Sequence, residues 1–132
     1  MTRKCIISAV VMFVMTWVLS FLIHGLILAP DYAVTAGMRP PAEAQKIMHW
    51  LILGEAIFGA AFAWVYYQGK EDKPWLMQGI RFGIAVACLT AIPTALIYHV
   101  ATPIALAVAF KQIVLDTIRL VLMGVVLAWI NK

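Results

Sequence analysis

Charged residues are scarce in this sequence. Lys and Arg together number 10 and Asp and Glu 6, among 132 residues of which 64% are apolar. A soluble domain of this size needs a far more charged surface. Cysteine is nearly absent. Cys5 stands at the edge of one apolar run and Cys88 in the middle of another. That placement argues against a disulfide, and there is no CxxC chemistry. GxSxG, HExxH, a P-loop and CxxCH are all missing, which removes the sequence grounds for the common hydrolase, zinc-peptidase, nucleotide and c-type haem readings. No cofactor is implied. No segment repeats convincingly at a period of about 20–50 residues. The net charge of +4 is modest. Its basic residues are scattered along the edges of apolar runs, so they form no nucleic-acid patch.

What the sequence does have is four long apolar runs, near 5–29, 47–68, 76–99 and 103–130. At about 1.5 Å per helical residue, each is long enough to cross a hydrocarbon core of ~30 Å. Almost nothing is left over for a soluble unit. The expectation is an all-α fold, an integral membrane four-helix bundle forming a single domain over residues 1–132. A signal peptide is the rival reading of the N-terminus. The apolar core from Cys5 to Ala29 is much longer than the ~7–15 residues of such a segment, so it is read as an uncleaved first span.

An even number of spans puts both termini on one side. Placing them in the cytoplasm collects Arg3, Lys4, Lys70, Lys73 and Lys132 there and leaves only Arg39 and Lys46 outside. This satisfies the positive-inside rule. Trp64, Tyr66, Tyr67, Trp75 and Trp129 then form an inner aromatic belt, with Tyr32, Trp50 and Tyr98 near the outer boundary. The loop "APDYAVTAGMRPPAEAQK" carries Pro41, suited to a first helical turn, with Glu43 near that helix's positive end. The short "VATP" connection makes the third and fourth helices antiparallel neighbours. Gly79, Gly83 and Ala87, and likewise Gly59 and Ala63, form rows of small residues that let helix backbones approach closely. Pro93 is expected to kink the third helix and free a carbonyl near Leu89, with Thr90 or Thr94 helping to satisfy the backbone.

The fourth run is interrupted by "FKQIVLDTIRL". At 100° per residue, Lys111, Arg119, Gln112 and Asp116 fall within an arc of about 140°, with Thr117 turned away. Charges inside a bilayer cost about 2.5–3.5 kcal/mol each at its centre, so this face should point into the protein. Asp116 and Arg119 are three residues apart and can pair on one helix. Glu55 is the only acid in the first three spans. Lys111 and Glu55 are each eight residues into their spans, roughly 12 Å down, so a Glu55–Lys111 pair across the bundle is expected. Arg81 would either reach toward Asp116 or extend to the cytoplasmic interface.

Three histidines, His24, His49 and His99, fall near the outer face, with Ser20 and Tyr98 completing a polar mouth. Thr16, Ser20 and His24 share one face of the first helix. Imidazoles at one depth suit a metal or a pH-responsive cluster. Without HxxxH or another metal spacing, separate interfacial residues are the plainer reading, and no metal site is assigned.

The runs "HGLILAPDY" (24–32), "QGIRFGIAV" (78–86) and "KQIVLDT" (111–117) resemble small uncharacterised bacterial four-span membrane proteins. The likeness extends over most of the chain. It implies a location in the bacterial cytoplasmic (inner) membrane and transfers no activity. The expected function is binding or conduction of a small solute, ion, proton or lipid headgroup by the buried polar cluster. The alternative is an accessory subunit of a larger membrane complex, whose ion pairs only fix helix register. Membrane lipid, a second copy of the chain or other membrane subunits are the expected partners, with no nucleic acid among them.

Overall fold

The computed structural model describes residues 2–132. Long apolar runs with few interruptions leave each backbone to satisfy its own hydrogen bonds, and helices result. The first is α1, Arg3–Ser20, capped by the Thr2 side chain, which accepts from the Cys5 backbone amide at 3.3 Å. It runs without a break into a π-helical segment, Phe21–Ile27, where the Leu28 amide reaches back five residues to the Ile23 carbonyl. Then come α2 (Ala29–Ala33), α3 (Pro41–Lys46), α4 (Met48–Gly69), α5 (Trp75–Leu89), α6 (Ala91–Ala101) and α7 (Leu106–Ile130). Among the described residues there are no strands.

Four helical stretches are long and apolar enough to cross a membrane: Arg3–Ile27, Met48–Gly69, Trp75–Ala101 and Leu106–Ile130. Each overlaps one of the expected spans. The fourth begins three residues late because Thr102–Ala105 is used to turn the chain. The second is preceded by α3, which opens at Pro41 as expected but is separated from α4 by Ile47, whose backbone is not helical.

The helices pack in a definite order. α4 lies against α1, α1 against α7, and α7 against α5 and, less extensively, α6. The α5–α7 contact is the closest. Gly79, Gly83 and Ala87 are buried on α5. A methyl group at Gly83 would lie 2.5 Å from the Val121 Cα and 2.6 Å from the Leu120 carbonyl oxygen. On α7 the matching residue is Gly124, whose carbonyl oxygen sits 2.6 Å from the same position at Gly79. Gly59 plays this part between α4 and α1, against the backbone of Phe13.

The third span breaks where Pro93 implies. Thr90 leaves helical geometry (φ −124°, ψ −74°), and α6 restarts at Ala91 with Pro93 in its first turn, where a missing N–H costs least. The Thr90 hydroxyl donates to the Val86 carbonyl at 2.8 Å, satisfying the end of α5. Below the break, Phe82 bridges to α4, 4.7 Å from the Phe62 ring and 5.3 Å from Tyr66, centre to centre. Above it, a groove opens between α4, α6 and α7, where α6 and α7 face Phe58 of α4 together with His24 and Tyr32.

The end of the bundle that carries both termini is tied by a polar knot. Buried Ser8 is 3.3 Å from the Tyr67 hydroxyl and accepts from Asn131 Nδ2 at 3.1 Å. Tyr67 also donates to Asn131 Oδ1, and Lys70 donates to the Asn131 carbonyl at 2.6 Å. Lys132 lies over both Trp75 and Trp129.

Candidate functional site

A hydrogen-bonded ladder runs through the half of the bundle away from the termini. It starts at Glu55 on α4. The Thr16 hydroxyl on α1 donates to Glu55 Oε2 at 2.7 Å and accepts from Arg119 Nη1 of α7 at 2.9 Å. A hydroxyl has one proton to give and lone pairs to receive, so Thr16 serves both charged groups at once. Arg119 Nη1 also donates to Ser20 at 2.6 Å. Its Nε approaches Asp116 Oδ1 at 3.2 Å, an ion-pair contact without hydrogen-bond alignment. The Phe58 ring covers the guanidinium carbon at 5.6 Å.

From Asp116 the ladder continues to His24. The imidazole Nε2 stands 3.3 and 3.2 Å from the two carboxylate oxygens, and Nδ1 stands 2.6 Å from the Tyr32 hydroxyl. A neutral imidazole has one donor and one acceptor nitrogen. An ionised Asp116 can only accept, which fixes the proton on Nε2 and makes Nδ1 the acceptor for the Tyr32 hydroxyl. Gln112 Nε2 donates to the same phenol oxygen at 2.9 Å. Carboxylate, imidazole and phenol thus stand in line, with the base oriented by a third group. The two rings are nearly parallel, at 9° with centres 6.0 Å apart. Burial pushes the Tyr32 hydroxyl above its ordinary pKa. The Gln112 hydrogen bond opposes that rise, and the negative charges of Asp116 and Asp31 add to it.

The local fold explains why these residues meet. Thr16, Ser20 and His24 share a helical face, as the sequence indicates. After the π-helical segment the chain turns at Leu28 into α2, which sets Tyr32 over His24. Asp31 comes with it, and Lys111 pairs with Asp31, Nζ lying 3.2 Å from each carboxylate oxygen. This overturns the expected Glu55–Lys111 pair. Equal depth was the wrong criterion, because α4 packs on α1 and the nearest polar partner of Glu55 is therefore Thr16.

The remaining candidates separate. Asp116 and Arg119 pair as expected. Arg81 lies toward the opposite end of the bundle, in a cleft with Glu71, Lys73 and Gln78, and does not reach Asp116. His99 turns its Nδ1 to the Ile104 carbonyl at 2.6 Å, and His49 packs beside Trp50. The three histidines do not share a site, and among the described residues no three His, Cys, Asp or Glu side chains are grouped to hold a metal. Tyr98 borders the groove. Asp31 and Tyr32 are the members that the sequence reading left out of the cluster. Their signal was the "PDY" directly after the first apolar run, close enough to fold back on it.

The groove between α4, α6 and α7 has a volume of about 540 Å³. Its polar end is His24, Tyr32, Gln112, Asp116 and Arg119, and its apolar wall includes Phe58, Ala91, Ala95 and Ile104. Glu55 lies outside it, bordering a shallower recess that also touches Arg119. Within the groove the charges of Asp116 and Arg119 are paired with each other. Comparison with protein families, characterised proteins and solved structures finds no match to this chain.

Proposed function

We propose that this chain is a multi-pass membrane protein that holds an uncharged amphiphile in the groove between α4, α6 and α7. The observation that carries the proposal is the coincidence of the ladder with the groove. The same side chains that satisfy one another, His24, Tyr32, Gln112, Asp116 and Arg119, form the polar end of a mainly apolar cavity. A few convergent polar groups in an apolar pocket are the usual composition of a small-molecule site. Intramembrane ionisable residues are functional candidates by the same logic. The pairing of Asp116 with Arg119 leaves neither charge free for a ligand, which favours a hydroxyl or carbonyl head over a carboxylate or an ammonium. The basic end with both termini would face the cytoplasm, and the resemblance to small bacterial four-span proteins favours the bacterial inner membrane.

The test is photo-labelling in liposomes with a long-chain alcohol bearing a diazirine. Adducts are expected on α6 and around Phe58. They should fall about tenfold in Gln112→Leu, through loss of an orienting hydrogen bond, and in Thr94→Trp, which fills the groove from an exposed position. The matching fatty acid should label more weakly than the alcohol. Adducts spread evenly over the outer faces of all four long helices, unchanged in both variants, would reject the proposal.

A further inference from the structure

A second cleft, of about 480 Å³, lies between α4 and α5 at the end of the bundle that carries the termini. It is remote from the ladder and shares no residue with the groove. Arg81 stands in it, six residues along a helical stretch apolar enough to cross a membrane. Among the described residues Arg81 takes part in no ion pair, whereas Lys73, Lys111 and Arg119 each have a carboxylate. The neighbouring Gln78 is already committed, with its amide bonded to both backbone groups of Glu71. Glu71 is itself held by Lys73. Arg81 is therefore the cleft's one uncompensated charge.

The surroundings strengthen its sign. Contacts of Lys70 and Lys132 bring the end of α4, the start of α5 and the end of α7 together, and Ser8 ties in α1. Arg3, Lys4, Lys70, Lys73, Arg81 and Lys132 gather there against only Glu71 and Asp72. The cleft wall is apolar on its flanks, where Val65 and Met77 are about half exposed, at 46% and 48%. A guanidinium offers paired N–H donors matched to phosphate oxygens. Basic pockets between membrane helices take anionic headgroups for this reason.

We infer that the Arg81 cleft binds the phosphate of an anionic phospholipid, with an acyl chain along Val65 and Met77. A soluble anion would meet the same guanidinium but would gain nothing from the apolar flanks. The inference does not depend on what the α4–α6–α7 groove holds.

Native mass spectrometry of the detergent-solubilised protein, titrated with phosphatidylglycerol or phosphatidylcholine, tests it. Wild type should retain phosphatidylglycerol in preference by about fivefold, the effect of one cation at a membrane surface. Arg81→Gln should abolish the preference, and Arg81→Lys should keep part of it. Arg39→Gln, which removes a charge from the loop between α2 and α3 at the other end of the bundle, should leave it unchanged. Equal retention of both lipids, or a preference unaltered in Arg81→Gln, overturns the inference. Displacement of bound phosphatidylglycerol by millimolar inorganic phosphate would also overturn it, by showing that the site takes the free anion.

Discussion

Tyr32 is the residue through which the ladder is most open to measurement. Its hydroxyl is shared between His24 and Gln112, and burial holds its pKa above the ordinary value of 10.0. The folded protein keeps the phenol proton more tightly than the unfolded chain, so Tyr32 contributes its full stability below about pH 10. That contribution is lost as the pH rises from there through the folded-state pKa. Thermal melts in detergent between about pH 9 and 11 should therefore fall more steeply for wild type than for Tyr32→Phe, because phenylalanine has no proton to lose. Equal slopes would mean that the phenol is as solvated as in the unfolded chain. At neutral pH the same variant loses two hydrogen bonds and should be less stable by about 1–2 kcal/mol.

At the level of helices, the glycines divide into two kinds. Gly83 faces the α7 backbone with no room for a methyl group, whereas a methyl at Gly54 would meet nothing within 4 Å. Gly83→Ala should destabilise by about 1–3 kcal/mol through forced separation of α5 and α7. Gly54→Ala should stabilise by about 0.5–1 kcal/mol through helix propensity. Both shifts are readable as melting temperatures in one detergent, and a destabilised Gly54→Ala would contradict the assigned packing. The α5 row was legible in the sequence because small residues four apart announce a close contact. Its partner Gly124 was not, since a single glycine in an apolar run carries no direction. The polar face of α7 was legible for the same reason as the α5 row: a helical period fixes which residues point together. The partner of Lys111 was not. It depends on the π-helical segment Phe21–Ile27 and the turn at Leu28, which no propensity signals, and on which helix neighbours which. Depth along a span constrains neither.

For the molecule as a whole, exposure has to be interpreted through its solvent. Large apolar side chains such as Trp17, Ile57, Leu89 and Trp129 stand exposed on the four long helices. That is the surface expected of a protein dissolved in lipid. The two free cysteines give a direct check. Cys88 is exposed in the middle part of the third span. Thiolates form and react in water. In Cys5→Ser protein held in liposomes, Cys88 should resist a charged maleimide and react fully once sodium dodecyl sulfate is added. Prompt labelling in intact liposomes would place that face in water. The break at Thr90 acts at this scale too. α5 is locked to α7 by backbone contact, and α4 is joined to α5 by the Phe62, Tyr66 and Phe82 rings, whereas α6 meets α7 less extensively than α5 does. α6 is then a lever with its fulcrum at Thr90. Its 11 residues make an arm of roughly 16 Å, so a turn of about 10° at one residue would swing the far tip by about 3 Å. A change in the torsions of that one threonine would reset the gape of the groove while α5 stayed seated on α7.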